Sequence, residues 1–330
     1  MADEKDFVLC QKLTAGVLGL AVGDAFGMPY ECAKREDLDI YTETRVPDGR
    51  FKMRGFQPGM PAYFYKEPIP PGVWTDDTAM TLAEMESIAR LGRIDPEDMM
   101  QNFCRWNDDG AFSATGVAIG QGKQTLQALE RYKAGTPAIR CGGAGERDNG
   151  DGSLMRMLPF VFAQKMLERD GVTVAELSSL THAHPISVRA CEIYVQIARE
   201  VLQGVPKEDC VNRFAEEPSP FDRLWTLKTL PDTQIRSKGY VVWALEAALW
   251  SFLTTNSFED CILEAVNLGG DADTIAAIAG SLAGLCYGEA YIPGCWLGVL
   301  HRNPEIRALC RAFYAAVSGQ DQSGDGPEKR

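Results

Sequence analysis

The sequence predicts an all-α fold, a single compact bundle of roughly a dozen helices. Apolar residues recur at the spacing of a buried helix face, as they do at positions 275, 278, 279, 282, 285 and 286. Helix-start signals also recur: Asp95-Pro-Glu-Asp supplies an N-cap residue, a proline at the first helical position and acids in the first turn. No convincing alternation of apolar and polar residues indicates a strand.

These signals place the first helix over residues 11–26 and a long irregular segment, rich in glycine and proline, over 32–73. Later helices are expected to begin near residues 75, 95, 154, 185, 239, 257 and 271, and a glycine-dense loop at 141–153 precedes the third of them. Residues 1–318 are predicted to form one domain, because motifs near both ends of the chain contribute to one site. The polar tail 319–330 is predicted to be disordered.

Composition and charge limit the possible partners. The chain carries 33 basic and 46 acidic residues, and its net charge of −13 disfavours binding to nucleic acid or anionic membranes. No apolar run is expected to be long enough to span a membrane. Ten cysteines without a C-x-x-C pair, and no secretion signal, predict a reducing cytoplasm. Three histidines leave few options for histidine-based zinc or serine chemistry.

The most informative stretch is Asn267-Leu-Gly-Gly-Asp-Ala-Asp-Thr-Ile-Ala276, which puts two carboxylates and a hydroxyl after two glycines and before an apolar helix. Side chains at i and i+2 point to different sides of a helix, so Asp271 and Asp273 converge only where the backbone is not yet helical. The two glycines permit such a turn. Helix capping explains one acid, whereas two acids and Thr274 fit Mg²⁺ or Mn²⁺, which prefer hard oxygen ligands.

A second group of oxygen ligands, Trp74-Thr-Asp-Asp-Thr78, lies far upstream at the start of another helix. Taken alone, this group is best explained by capping, with Thr75 as the N-cap and two acids in the first turn. Taken together, the two groups predict a binuclear site for Mg²⁺ or Mn²⁺ that can activate a water and hold substrate oxygens. The predicted ligands are the side chains of Thr75, Asp76, Asp77, Asp271, Asp273 and Thr274.

Five segments resemble the ADP-ribosylglycohydrolase family, most closely the bacterial branch that includes dinitrogenase reductase-activating glycohydrolase. They occur in the family's order over roughly residues 13–288, and they are Gly16-Val-Leu-Gly-Leu-Ala-Val-Gly-Asp-Ala-Phe-Gly-Met-Pro-Tyr-Glu31, Trp74-Thr-Asp-Asp-Thr78, Gly150-Asp-Gly-Ser-Leu-Met-Arg156, Thr181-His182 and Asn267-Leu-Gly-Gly-Asp-Ala-Asp-Thr274. The resemblance implies the family's all-α fold. It also implies that Glu31, which alone would be an unremarkable surface acid, lies beside the metals as a ligand or a gate. Asp24 is expected to be a buried residue at a helix end, hydrogen-bonded to backbone.

The resemblance further implies a set of ADP-ribose contacts, which are Asn149, Gly150, Asp151, Gly152, Ser153, Met155, His182, Tyr240 and Gly270. Backbone amides at a glycine-rich helix start suit a phosphate, although a glycine loop alone is more simply a flexible connector. Two positions depart from the family: Asp151 stands where asparagine is common, and Ala118 where relatives often have an acid. If that acid recognises the leaving group, arginine specificity does not simply carry over, and Asp108 or Asp109 could substitute for it.

The resemblance therefore predicts metal-dependent hydrolysis of the bond between ADP-ribose and an acceptor, which releases ADP-ribose. The catalytic candidates are Asp76, as base or water-positioning residue, together with Asp77 and Glu31. The expected partners are an ADP-ribosylated protein, modified on arginine, serine or another side chain, or a modified small molecule; a membrane is excluded, and nucleic acid is expected only as a modified substrate. Two alternatives stay open: an inactive ADP-ribose-binding or structural module of the same fold, and a metal-dependent phosphohydrolase.

Overall fold

The computed structural model describes residues 2–62 and 64–319, which form fifteen α-helices, seven short 3₁₀-helices and no β-strand. The prediction of an all-α fold is confirmed. The α-helices are α1 (Ala2–Gly27), α2 (Ile40–Thr44), α3 (Asp76–Leu91), α4 (Pro96–Asp109), α5 (Lys123–Lys133), α6 (Leu158–Phe162), α7 (Gln164–Asp170), α8 (Val174–Ser178), α9 (Pro185–Leu202), α10 (Lys207–Asn212), α11 (Val241–Thr254), α12 (Phe258–Asn267), α13 (Ala272–Tyr287), α14 (Gly294–Val299) and α15 (Asn303–Ser318). The 3₁₀-helices are Met28–Tyr30, Arg35–Asp37, Ala138–Arg140, Leu154–Arg156, Leu224–Thr229, Asp232–Gln234 and Glu289–Tyr291.

The structure departs from the expected elements in three places. The first helix begins at Ala2 rather than near residue 11. The helix expected after the glycine loop is divided into a 3₁₀-helix and the short α6, where Pro159 lacks the N–H that a continuous helix would use. Helices α5 and α15 were not anticipated. The predicted disordered tail lies, apart from Gly319, outside the described residues.

Helices α1 and α13 pack backbone against backbone at the centre of the bundle. A Cβ atom added to Gly19 would lie 2.2 Å from the carbonyl oxygen of Gly280, and one added to Gly23 would lie 2.0 Å from that of Ala276. Because Gly19 and Gly23 are one helical turn apart, they form one glycine face on α1. This close approach sets the C-terminal end of α1 beside the N-terminal end of α13.

The apolar length of α1 corrects one expectation from the sequence. Residues Glu4–Tyr30 form a helix that is long and apolar enough to cross a membrane by length and composition. However, 61% of its most apolar window is buried inside the protein. The packing of α1 against α13 therefore accounts for its apolar character as a core helix.

Replacing Gly23 with alanine should destabilise the protein strongly. The added methyl group would overlap a backbone carbonyl of α13, which a side-chain rotation cannot relieve. Overpacking of this kind typically costs about 1–3 kcal/mol, and we expect the upper end of that range. Thermal unfolding followed by circular dichroism measures the effect.

Gly298→Ala is the matched control, because Gly298 lies in α14 and an added Cβ there would meet no atom within 4 Å. Alanine is the better helix former by about 0.5–1 kcal/mol, so this variant should be neutral or slightly more stable. Equal stability of the two variants would contradict the close packing of α1 and α13.

Candidate metal centre and ligand cavity

Seven buried or half-buried carboxylates converge where α1, α3 and α13 meet. One oxygen from each of Asp24, Asp77 and Asp273 lies within 4.8 Å of the other two, and the same holds for Glu31, Asp271 and Asp273. Asp273 belongs to both groups, which therefore adjoin. Asp76 and Asp151 complete the set, since the charge of Asp271 acts on the pKa of both.

Asp24 is the residue that fixes the start of α3. Its carboxylate is fully buried and accepts hydrogen bonds from the backbone N–H groups and the hydroxyls of Thr75 and Thr78, at 2.6–3.1 Å. Up to four donors thus occupy the acceptor sites of its two oxygens. Asp24 is thus a buried helix-end residue bound to backbone, as expected, and it also holds the upstream acids in position.

The side chain of Thr75 does not cap α3. The N-cap position is occupied by Thr75, but its hydroxyl makes no capping hydrogen bond and instead lies 2.9 Å from Asp24 and 3.0 Å from Asp77. A hydroxyl has one hydrogen and can donate to only one of these carboxylates at a time. Oδ1 of Asp77 is buried and has no hydrogen-bond partner among the described residues. Capping therefore does not account for the upstream group.

Asp271 likewise occupies the N-cap position of α13 without a capping hydrogen bond from its side chain. The two glycines before it both have positive φ, +67° at Gly269 and +70° at Gly270, which produces the turn that the sequence predicted. The backbone N–H of Gly270 donates to Ala33 at 2.8 Å, and its carbonyl accepts from Cys32 at 2.6 Å. These two bonds attach the segment after Glu31 to the downstream acids.

Burial gives these carboxylates abnormal proton affinities. Desolvation, followed by the charge of Asp271, raises the pKa of Glu31 to about 9. Desolvation raises the pKa of Asp24 to about 6, against the hydrogen bonds from Thr78 and Thr75. The pKa values of Asp77 and Asp273 are raised well above the ordinary value, first by desolvation and then by neighbouring acids. In every case desolvation is the largest cause, and for Glu31, Asp77 and Asp273 the charge of neighbouring acids adds to it.

These residues fit a pair of divalent cations. No ion pair in the described part of the chain includes any of the seven carboxylates. Within residues 2–62 and 64–319, the buried Oδ1 of Asp77 and Oδ2 of Asp151 have no hydrogen-bond partner. Oxygen ligands of this hardness suit Mg²⁺, Mn²⁺ or Ca²⁺ rather than a soft metal.

A cavity of about 440 Å³ opens above the acids. Its wall includes Glu31, Asp76, Asp271, Asp273 and Thr274 on the acidic side. The glycine loop also lines the cavity, adjoins the acids through Asp151, and is joined to the start of α11 by a bridge between Gly150 and Tyr240. The cavity thus has an acidic wall and a wall of exposed backbone.

The glycine loop offers free amide donors. The backbone N–H groups of Gly152 and Ser153 form no hydrogen bond within residues 2–62 and 64–319. Lys123 and Arg147 also line the cavity and form no ion pair with described residues. Free N–H groups beside cations can bind the oxygens of a phosphate.

Most of the predicted ligand contacts surround this cavity: Asn149, Gly150, Asp151, Gly152, Met155, His182 and Tyr240. Two others are placed differently from the prediction. Ser153 is fully buried and does not line the cavity; its hydroxyl accepts a hydrogen bond from Ser178 at 2.9 Å, and its backbone N–H has no partner among the described residues. Gly270 is outside the cavity wall, because its backbone is used to hold the segment after Glu31.

Several lining residues were not anticipated as contacts: Gly120, Gly122, Lys123, Gln124, Thr125, Arg147 and Gly239. Gly120 has φ of +83°, and an added Cβ would lie 2.3 Å from Oδ1 of Asp76. The sequence shows a glycine at position 120, but no sequence pattern indicates that residue 120 lies beside residue 76. Asp108, considered as a substitute for the missing acid at Ala118, is instead paired with Lys133 at 2.6 Å.

Comparisons with known proteins show the family of this chain. The ADP-ribosylglycohydrolase family model matches residues 7–323. The chain is 33% identical to ADP-ribosylarginine hydrolase Tri1 of Serratia proteamaculans (strain 568), over 94% of this chain and 81% of that protein. It is 30% identical to ADP-ribosyl-[dinitrogen reductase] glycohydrolase of Rhodospirillum rubrum, over 92% and 95%. A solved structure described as an ADP-ribosylglycohydrolase-related protein complex superposes with a TM-score of 0.74 at 32% identity, covering 93% of this chain and 98% of that one.

The stability of the metal-free protein should fall as the pH rises. An acid whose pKa is raised by folding binds protons more tightly in the folded state, so its contribution is present at low pH and is lost as the pH rises through the folded pKa. The window extends from the ordinary value of 4.5 to about 9 for Glu31, and from 3.8 to about 6 for Asp24. We expect the Tm in EDTA to drop by more than about 5 °C between pH 5 and pH 8, and Mg²⁺ to restore it.

Two aspartate-to-asparagine variants make this measurement specific. Asp273→Asn should flatten the pH dependence and remove most of the increase in Tm with Mg²⁺, because Asp273 belongs to both carboxylate groups. Asp108→Asn removes an exposed acid paired with Lys133 and should leave both effects intact. A metal-free Tm that is constant or rises from pH 5 to pH 8 would rule out the uncompensated carboxylates.

Proposed function

Because this chain belongs to the ADP-ribosylglycohydrolase family and is a hydrolase of the glycosidic bond between ADP-ribose and an acceptor, we propose that its acceptor is an arginine side chain of a protein. One observation carries the proposal: the carboxylates beside the cavity have no basic partner among the described residues. A guanidinium group is a cation that carboxylates bind through paired hydrogen bonds. The named relatives from Serratia proteamaculans and Pseudomonas putida are ADP-ribosylarginine hydrolases, which supports the same acceptor.

We propose that ADP-ribose lies across the cavity with its diphosphate on the glycine loop. The free amides of Gly152 and Ser153 bind the phosphate oxygens, and Lys123 and Arg147 neutralise part of their charge. The distal ribose then reaches the acidic wall. This orientation brings the anomeric carbon, which carries the acceptor, next to Asp76 and Glu31.

The acids divide into ligands and groups that reach the substrate. Asp76 lines the cavity, whereas Asp77 and Thr75 lie beneath it. Two divalent cations, which we propose to be Mg²⁺ or Mn²⁺, would be held by Thr75, Asp77, Asp271, Asp273 and Thr274, and would supply Lewis acidity and a water of lowered pKa. Asp76 orients the attacking water and accepts its proton, and nearby carboxylates stabilise the positive charge that develops on the sugar ring.

Ala118 provides no acid for the acceptor, and the exposed Asp109 does not line the cavity. Asp108 is held by Lys133, and Gly120 packs directly against Asp76. The guanidinium must therefore be bound by carboxylates of the acidic wall itself. Glu31 is suited to this, because it lies at the cavity and is attached to Gly270 only through the backbone that follows it.

The alternatives from the sequence receive less support. An inactive module would not need a complete acidic set, and the similar proteins are named as hydrolases. A phosphohydrolase is not what the similar proteins are named for, and product analysis separates it, because that reaction would yield AMP or inorganic phosphate rather than intact ADP-ribose. We also propose that the protein works in a reducing cytoplasm, which its ten free cysteines support.

Asp76→Asn and Asp77→Asn should separate catalysis from metal binding. Asp76→Asn should keep Mg²⁺ and ADP-ribose binding in calorimetry but lower kcat at least about 100-fold, the usual effect of losing a general base. Asp77→Asn should lose Mg²⁺ affinity and turnover together, because it removes a charge from the buried ligand set. Loss of Mg²⁺ affinity in both variants alike would contradict the division between base and ligand.

The acceptor can be tested with matched peptides that carry ADP-ribose on arginine or on serine. We expect free ADP-ribose from the arginine peptide at least about tenfold faster, since two paired hydrogen bonds to a guanidinium exceed 1.4 kcal/mol. Glu31→Gln should reduce this preference while retaining some turnover on serine. Equal rates on both peptides would refute the arginine proposal while leaving the hydrolase activity established.

A further inference from the structure

A buried ion pair lies directly behind the cavity and takes no part in the chemistry described so far. Arg156 and Glu84 are both fully buried and joined through Nη1 of the arginine. The guanidinium also lies over the ring of Phe103, 5.0 Å from its centroid. Its second amino group donates to the carbonyl of Leu177 at 3.1 Å and to the hydroxyl of Thr181 at 3.0 Å. These contacts fix the arginine from several sides.

The hydroxyl of Thr181 connects this arginine to His182. Oγ1 of Thr181 lies 2.8 Å from Nδ1 of His182, and its only other hydrogen-bond partner in the described chain is Arg156. Arginine can only donate, so the hydroxyl oxygen must accept from it. The hydroxyl hydrogen is buried and has one available acceptor, which is Nδ1. If Nδ1 carried a proton instead, that hydroxyl hydrogen would have no partner.

The other ring nitrogen of His182 faces the glycine loop. A Cβ atom added to Gly150 or to Gly152 would lie 3.4 Å from Nε2. Nε2 forms no hydrogen bond with described residues, and His182 lines the cavity although only 3% of its surface is exposed. Its single unused polar atom is therefore directed at the wall where the free amides lie.

We propose that Arg156 is a positioning residue that acts through Thr181 to fix the tautomer of His182, so that a neutral imidazole presents Nε2–H to the cavity. Burial, and then the charge of Arg156, lowers the pKa of His182 to about 3, which keeps the ring uncharged. This part of the inference rests on the proposed function: Nε2–H donates to a diphosphate oxygen of ADP-ribose, beside the amides of Gly152 and Ser153. His182 thus contributes a fixed neutral donor to the phosphates rather than a titrating cation.

Nitrogen-15 NMR tests the tautomer without any turnover. The chain has only three histidines, and His184→Asn and His301→Gln assign two of them, since asparagine preserves the N-cap contact that His184 makes. Full-length protein with Mg²⁺ at pH 7 should show His182 as the neutral Nε2–H form. A neutral Nδ1–H form, or an imidazolium, would overturn the proposal.

Three variants test the link through Thr181. Thr181→Ser keeps the hydroxyl and should keep both the tautomer and the Kd for ADP-ribose. Thr181→Val removes the hydroxyl at similar volume and should give mixed tautomers and a Kd about tenfold weaker, with unchanged Mg²⁺ affinity. A double variant, Glu84→Leu with Arg156→Met, replaces the ion pair with apolar groups and should also mix the tautomers although Thr181 is retained.

The outcomes separate this inference from the proposed function. An Nε2–H tautomer that persists in Thr181→Val or in the double variant would overturn the role of Arg156, whatever the enzyme hydrolyses. If Thr181→Val shows the expected mixed tautomers but its Kd for ADP-ribose is unchanged, the contact between His182 and the diphosphate is overturned. A third outcome is that the wild-type protein gives the expected NMR results and binds ADP-ribosylated arginine but does not hydrolyse it. This outcome would refute the proposed acceptor, and the positioning role of Arg156 would stand.

Discussion

The contact between α1 and α13 is the constraint on which the site depends. Glycines on α1 allow its backbone to touch that of α13, and a single methyl group at Gly23 would prevent this approach. Asp24 is near the end of α1, and Asp271 and Asp273 are at the start of α13. Without the close crossing, the upstream and downstream acids would belong to two separate helix termini, each explained by capping alone.

Asp24 links the contact between α1 and α13 to the position of the upstream acids. It extends from α1 to bind the backbone and the hydroxyls at the start of α3, which turns Asp77 toward Asp273. One carboxylate that accepts several hydrogen bonds thus positions other carboxylates that have fewer partners among the described residues. Repulsion between these carboxylates destabilises the metal-free fold, and a bound cation would compensate it. The same carboxylates that lower the stability of the metal-free protein therefore provide its affinity for cations.

The two walls of the cavity bind charge by opposite means. The acidic wall relies on ionised oxygens whose state depends on bound cations. The glycine wall combines the cations Lys123 and Arg147 with neutral donors, which are the amides of Gly152 and Ser153 and an imidazole held uncharged by burial. The net charge of −13 means that the protein as a whole does not attract a phosphate, so phosphate binding depends on donors close to it.

The sequence by itself determined the fold class, the turn before α13, and the composition of both acidic groups. These are local properties, since helical periodicity and a Gly-Gly turn act within a few residues. It also gave most of the cavity residues, but only through a resemblance to a family. The sequence did not distinguish the side chain of Ser153 from its backbone, nor did it show that Gly270 holds the segment after Glu31.

Only the tertiary structure decided whether the acids are caps or a cluster, and which donors are free. Whether Thr75 caps α3 depends on Asp24, which is 51 residues away, and whether Asp108 is available depends on Lys133. The link from Arg156 to His182 requires Leu177 and Thr181 to lie beside an arginine more than 20 residues earlier in the chain. The physical reason is that hydrogen bonding and burial depend on distance in space, which spacing along the chain does not encode beyond one or two helical turns.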